Sequence, residues 1–147
     1  MFQKLNFPLI ELKTKVQDEK IYCFDVIRKK YLLLTPEEWV RQHLVHYLVA
    51  IDYPKGLIAM ESGLRFNNLA KRTDIVVRDR EGQVFMLVEC KAPSIKLTQK
   101  VIEQASVYNQ VLNAKYLAIT NGMSWYCFEM DYNQQSFVQV EGIPSYK

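Results

Sequence analysis

Two runs rich in β-branched residues, TDIVVRD (residues 73–79) and VFMLVECK (residues 84–91), stand on either side of the tetrapeptide REGQ. Short runs of this composition favour strands, and a polar linker with a glycine favours a tight antiparallel turn. That pairing dictates neighbours. The start of the first strand lies beside the end of the second, so Asp74 meets Glu89, fifteen residues on, with Lys91 alongside. Residues two apart on a strand share a face, so Glu89 and Lys91 point together and Cys90 points the other way. Charges at the end of a run as apolar as VFMLV are costly unless they pair. The hairpin makes them neighbours at a sheet margin.

The flanking sequence supplies the remaining elements. LIELKTKVQDEKIYCFDVI reads as two β-type runs about QDEK, an N-terminal β-hairpin. LLLTPEEWVRQHLVHYLVAID is a helix, with Thr35 as N-cap, Pro36 in the first position and Glu38 completing a capping box. Val40, Leu44, Tyr47, Leu48 and Ile51 form its buried stripe, and YPKG ends it. LIAMESGLRF is a β-type run ahead of the central pair, and APS breaks the strand after it. LTQKVIEQASVYNQVLNA is a second helix, carrying Leu97, Val101, Ala105, Tyr108 and Leu112 on one side. KYLAITNG, SWYCFEMD and SFVQVEG are closing strands, with Asn121-Gly122 favouring a hairpin turn. The order predicts an α/β domain of the α+β kind: a mixed central sheet flanked by helices, spanning residues 1–147 as one unit.

Composition narrows the class. A length of 147 residues suits one domain with a proper core. The 49% hydrophobic and 24% charged fractions argue against disorder. A net charge of +3 permits a polyanionic partner without requiring one. Cys23, Cys90 and Cys127 are odd in number and lack metal-type spacing, which fits reduced thiols in a cytoplasmic protein. MFQKLNFPLIELKTK lacks the apolar core of a signal peptide, and no run is long enough to span a bilayer. Neither secretion nor a membrane is expected.

Two carboxylates held together resist joint ionisation unless a cation sits between them. Hard oxygen donors suit Mg²⁺ or Mn²⁺, which take one or two carboxylates with waters and phosphate oxygens. Such an ion activates water and stabilises charge on a phosphodiester, and a lysine beside it orients that water or offsets the charge. Metal-assisted phosphodiester hydrolysis is the chemistry so suggested. The alternative is that Asp74, Glu89 and Lys91 form an ordinary ion-pair cluster at strand ends, and spacing does not separate the two.

At Asp74 and Glu89-Cys90-Lys91 the chain resembles the motif of the PD-(D/E)XK nuclease superfamily. TPEEWVRQ, RTDIVV, LVECKAPS and ITNG, in that order, resemble the N-terminal domain of type I restriction enzyme R subunits, from about Thr35 to Asp131. The resemblance implies a restriction-endonuclease-like αβββαβ core, with Asp74 and Glu89 as Mg²⁺ ligands (Mn²⁺ as the other suitable ion) and Lys91 as the catalytic lysine. It implies DNA as partner, with a homodimer or a larger restriction-type complex as further expectations. Thr73 stands where the superfamily's name has proline, and no motor portion lies within these residues. A catalytically silent nucleic-acid-binding or partner-recruiting module is the alternative function.

Supporting positions follow from the same resemblance. Gln104 and Tyr108, in QASVY, match a Q-x₃-Y pattern of RecB-like relatives and lie one helical turn apart. Both are expected to face the sheet and the site, or else Tyr108 is core and Gln104 flanks it. Related nucleases often add an acid from the first helix. Glu37 falls near the centre of the apolar stripe and is the choice for that role, whereas Glu38 is assigned to capping. Arg41 flanks the stripe, within reach of a phosphate or these acids. Glu61 closes LIAMES and either joins the acidic cluster or, the preferred reading, is an exposed strand end; His43 and His46 are read as solvated. Arg65, Lys71, Arg72, Lys96 and Lys100 are cations that could flank a DNA backbone.

Overall fold

The computed structural model describes residues 2–62, 73–104 and 113–146, with side chains described throughout except at 61, 62, 73 and 74. Among these residues, nine strands form two sheets. The first is a meander of β1 (Thr14–Gln17), β2 (Lys20–Asp25) and β3 (Lys30–Leu33), all antiparallel. The expected QDEK turn is present, with Asp18 and Glu19 both at positive φ, as a two-residue primed turn demands. The third strand is an addition to the predicted hairpin. Asp25 creates it: its buried Oδ1 accepts the N–H groups of Ile27 and Arg28 at 2.8 and 3.0 Å, folding the chain back on itself.

The second sheet runs β4 (Ile58–Ser62), β5 (Thr73–Arg78), β6 (Val84–Cys90), β7 (Tyr116–Thr120), β8 (Trp125–Asp131), β9 (Ser136–Val140), in that spatial order. All neighbours are antiparallel except β6 and β7, which run parallel. A parallel pair requires a crossover, and the helix beginning at residue 99 lies within it. Between β5 and β6 the REGQ turn closes on Asp79, whose Oδ1 accepts from the Glu81 and Gln83 N–H groups, with Gly82 at φ 86°.

Helix α1 (Pro36–Ala50) is capped as its sequence dictates, the Glu38 N–H donating to Thr35 Oγ1 at 3.1 Å. It lies on β5 and β6. Val40, Leu44, Val45 and Leu48 pack there against Ile75, Val77, Met86, Val88 and Cys90. Val76, Val84, Leu87, Ala114 and Leu117 form a smaller core on the other side. Strand β6 is therefore buried along its whole length, which is why its sequence is continuously apolar rather than alternating. The inward face of α1 differs from expectation at its edges. Val45 and His43 are buried, whereas Tyr47 is half-buried and Ile51 exposed. The helix ends at Ala50, so Ile51 lies past the packed region.

No helix among the described residues is long and apolar enough to cross a membrane.

Candidate metal and phosphodiester site

The site residues converge because of strand register. Asp74 on β5 is the direct partner of Glu89 on β6. Glu61 on β4 is in turn the partner of Asp74. Three acidic residues thus occupy one row across adjacent strands, with neighbouring strands about 4.8 Å apart. The register pairing of Asp74 with Glu89 agrees with the hairpin reading. Of the two readings open to Glu61 in the sequence, the register of a third strand puts its backbone in the same row as Asp74. The side chains of Glu61 and Asp74 lie outside the described residues.

Glu89 is only 5% exposed. Lys91 places its Nζ 3.7 Å from Glu89 Oε2, and its side chain keeps 28% of its surface in solvent. This is the juxtaposition expected of two residues separated by one on a strand. Lys91 lies just past β6, yet its N–H continues the parallel ladder by donating to Thr120 O at 2.8 Å. Cys90 packs in the core beneath α1, so alternation turns Glu89 to the opposite face.

That geometry bears on the first helix. Glu37 stands on α1, which covers the face away from Glu89, and is half-buried. Glu38 is the more buried acid, and its carboxylate forms an ion pair with Arg41 Nη2 and accepts from Arg41 Nε and Gln42 Nε2, both at 3.2 Å. Glu38 thus caps only through its backbone N–H, and its side chain serves a buried polar cluster instead. Arg41 is 1% exposed, and removal from water pulls its pKa below the usual guanidinium range, with the nearby Arg28 charge acting in the same direction. Buried this far, Arg41 is not available to a phosphate. His43 is also buried rather than solvated: its Nδ1 sits 2.8 Å from Trp39 O, and burial lowers its pKa despite that bond. His46 is half-buried, its pKa lowered chiefly by burial and secondarily by His43 and Lys55.

The second helix is described over residues 99–104 and starts on Thr98, whose Oγ1 accepts the Val101 N–H at 3.3 Å. Gln99, Ile102 and Glu103 line a cavity with Leu117 and Phe128, so this is the side turned to the sheet. Gln104 is exposed, contrary to the expected inward orientation. It follows Ile102 by two residues, about 200° round a helix of 3.6 residues per turn. Tyr108 lies outside the described residues, as do Arg65, Lys71 and Arg72.

Past the site, the ITNG turn anchors the strand ends. Asn121 Oδ1 accepts the Met123 and Ser124 N–H groups, and its Nδ2 donates to Ile95 O at 2.8 Å. This ties the β7–β8 turn to the segment that follows Lys91. Among the described residues no three His, Cys, Asp or Glu side chains gather into a metal-binding group. The donor set of the row is carboxylate oxygen, while the thiol of Cys90 is turned to the core. Hard oxygen donors of this kind fit Mg²⁺ or Mn²⁺ and not a thiophilic ion.

The family described as type I restriction enzyme R protein N terminus matches residues 36–144, well over half of the chain. No curated protein and no solved structure matches it. With the ITNG turn, the register row and α1 all inside the matched span, the chain belongs to the type I restriction enzyme R protein N-terminal family.

Proposed function

We propose that this domain is a Mg²⁺-dependent DNA endonuclease of the PD-(D/E)XK type, acting in restriction or a related DNA-processing role. The observation that carries the reading is the register of Asp74 with Glu89, with Lys91 Nζ 3.7 Å from the Glu89 carboxylate. Asp74 and Glu89 would hold the ion, Mg²⁺ or Mn²⁺, which when bound supplies Lewis-acid stabilisation of the phosphodiester and a more acidic water. Lys91, partly exposed, orients that water and offsets the negative charge that grows on phosphate oxygens. Glu89 is 5% exposed, and low exposure limits the positions open to its carboxylate, which favours pre-organised binding. Tyr108 is assigned a supporting place at the edge of the site and exposed Gln104 a contact with DNA phosphate, whereas Glu37, on the helix that covers the other face of the sheet, would reach the ion only past the end of β6. Lys96 and Lys100, both exposed, extend the surface that a backbone would follow. DNA is the partner, within a larger restriction-type assembly or a homodimer of this chain.

Nicking of supercoiled plasmid in Mg²⁺ or Mn²⁺ tests the reading. Asp74→Ala, Glu89→Ala and Lys91→Ala are each expected to lower the rate at least about a hundredfold, the scale on which a single charge-stabilising group acts. Retention of parental activity by all three would rule the site out. A second reading, a nucleic-acid-binding module without catalysis, is favoured by one feature: Glu89 and Lys91 already pair with each other. It predicts salt-sensitive DNA binding that does not depend on metal and no cleavage in any variant.

A further inference from the structure

A second concavity lies where α1 begins and β6 has just ended. Phe2, Gln3, Pro36, Trp39, Pro93 and Ser94 wall a cavity of about 190 Å³. The rings of Phe2 and Trp39 are stacked, centroids 5.2 Å apart and planes within 19°. Trp39 is held in place from two directions. Its indole N–H donates to Gln3 O at 2.8 Å, and the edge of His43 meets it at a centroid distance of 4.3 Å. Two rings and two prolines give flat apolar walls; Ser94 is exposed beside them, and the side-chain amide of exposed Gln3 donates to Met123 Sδ at 3.4 Å. Pro93 follows Lys91 by two residues, so the two Cα atoms are at most about 7 Å apart. That is a step or two along a nucleic-acid strand, at about 3.4 Å per base.

We propose that this cavity receives an unstacked nucleobase of the strand being cut, next to the scissile phosphate, so that single-stranded or locally opened DNA is the preferred substrate. The proposal rests on the nuclease reading for its location beside a scissile bond. Its chemistry is independent of that reading. Stacking on aromatic rings tolerates any base, and a base still inside a duplex stack does not reach a pocket of this kind. The volume holds one ring system and not a folded peptide. The hydroxyl of exposed Ser94 is the polar group that meets the hydrogen-bonding edge of a base whose faces lie against the apolar walls.

The test uses single-stranded oligonucleotides carrying 2-aminopurine at successive positions, whose fluorescence falls when the base stacks. Binding is measured without divalent metal, and cleavage in parallel with Mg²⁺ or Mn²⁺. The parent and Phe2→Tyr are expected to quench strongly at one position. Phe2→Ala is expected to lose that quenching and about tenfold in affinity, with an unchanged circular dichroism melt showing that it folds. An abasic residue at the same position should slow cleavage by the parent and add nothing to the defect of Phe2→Ala. Quenching at no position, or quenching untouched in both Phe2→Ala and Trp39→Leu, overturns the proposal. Quenching as expected with no cleavage in either metal leaves the base pocket standing and removes the nuclease reading.

Discussion

Arg41 and Glu38 show how much depends on single buried groups. Their ion pair lies in the interior beside Gln42, and Arg41 Nη1, Gln42 Oε1 and the nearby Asp25 Oδ2 have no hydrogen-bond partner. A buried pair of this kind contributes little net stability, but losing one partner strands the other charge. Glu38→Ala is therefore expected to destabilise the fold by about 3–5 kcal/mol, and Glu37→Ala by less, because Glu37 is only half-buried while Glu38 forms the buried ion pair. Urea unfolding of the two variants checks this, and equal losses would contradict the assignment of Glu38 to the interior. His43 and His46 carry a pH signature. Burial holds both pKa values below the ordinary 6.5. Between the lowered folded value and 6.5 the unfolded chain binds more protons, so stability rises with pH across that window and falls as the solution is acidified. The difference in Tm between pH 7.5 and pH 5.5 is expected to shrink in His43→Gln and His46→Gln.

Among the elements, the β7–β8 turn is the most demanding. Gly122 sits at φ +84°, and a Cβ there would come within 2.6 Å of Leu5 Cδ2. The N-terminal segment is fastened to the same turn, Asn6 donating its backbone N–H to Gly122 O and its side-chain amide to Met123 O. Gly122→Ala is expected to cost about 1–3 kcal/mol, because positive φ strains any side chain and Leu5 must move as well. A Tm unchanged within a degree would mean that the segment carrying Leu5 packs elsewhere. At the far edge of the sheet, β9 exposes Phe137 and Val138, 63% and 66% accessible, on an uncharged strand. Edge strands without charge or proline invite pairing with another chain. Val138→Lys is expected to reduce concentration-dependent self-association measured by light scattering, with cleavage and unfolding unaffected.

For the whole molecule, the decisive quantity is the coupling between an ion and folding. If the carboxylate row binds Mg²⁺ only in the folded state, stability rises with the ion by about 2.7 kcal/mol at a hundred times the dissociation constant. A thermal melt across a Mg²⁺ titration should move upward in the parent and stay flat in Asp74→Ala and Glu89→Ala. A parent that does not respond argues for the binding-module reading. A parent and variants that respond alike place the ion elsewhere on the molecule.

Local sequence was enough for the central hairpin, the capped first helix, the register pairing of Asp74 with Glu89 and the contact of Lys91 with Glu89. Those features rest on strand alternation, a glycine turn and an N-cap, all interactions within about fifteen residues. Side-chain direction on the helices was not legible in the same way. Amphipathic periodicity nominated Glu37 and left Glu38 to capping, yet Glu38 turns inward because Arg41 and Gln42 one turn on can satisfy its carboxylate away from water. His43 is buried because Trp39 offers both a carbonyl and a ring edge. The alignment of Glu61 with the other acids, the third strand of the N-terminal meander and the meeting of Phe2 with Pro93 join residues far apart in the chain. Only the packed sheet and helix bring them together, since long-range register is set by the burial of whole faces and not by any local preference of the residues concerned.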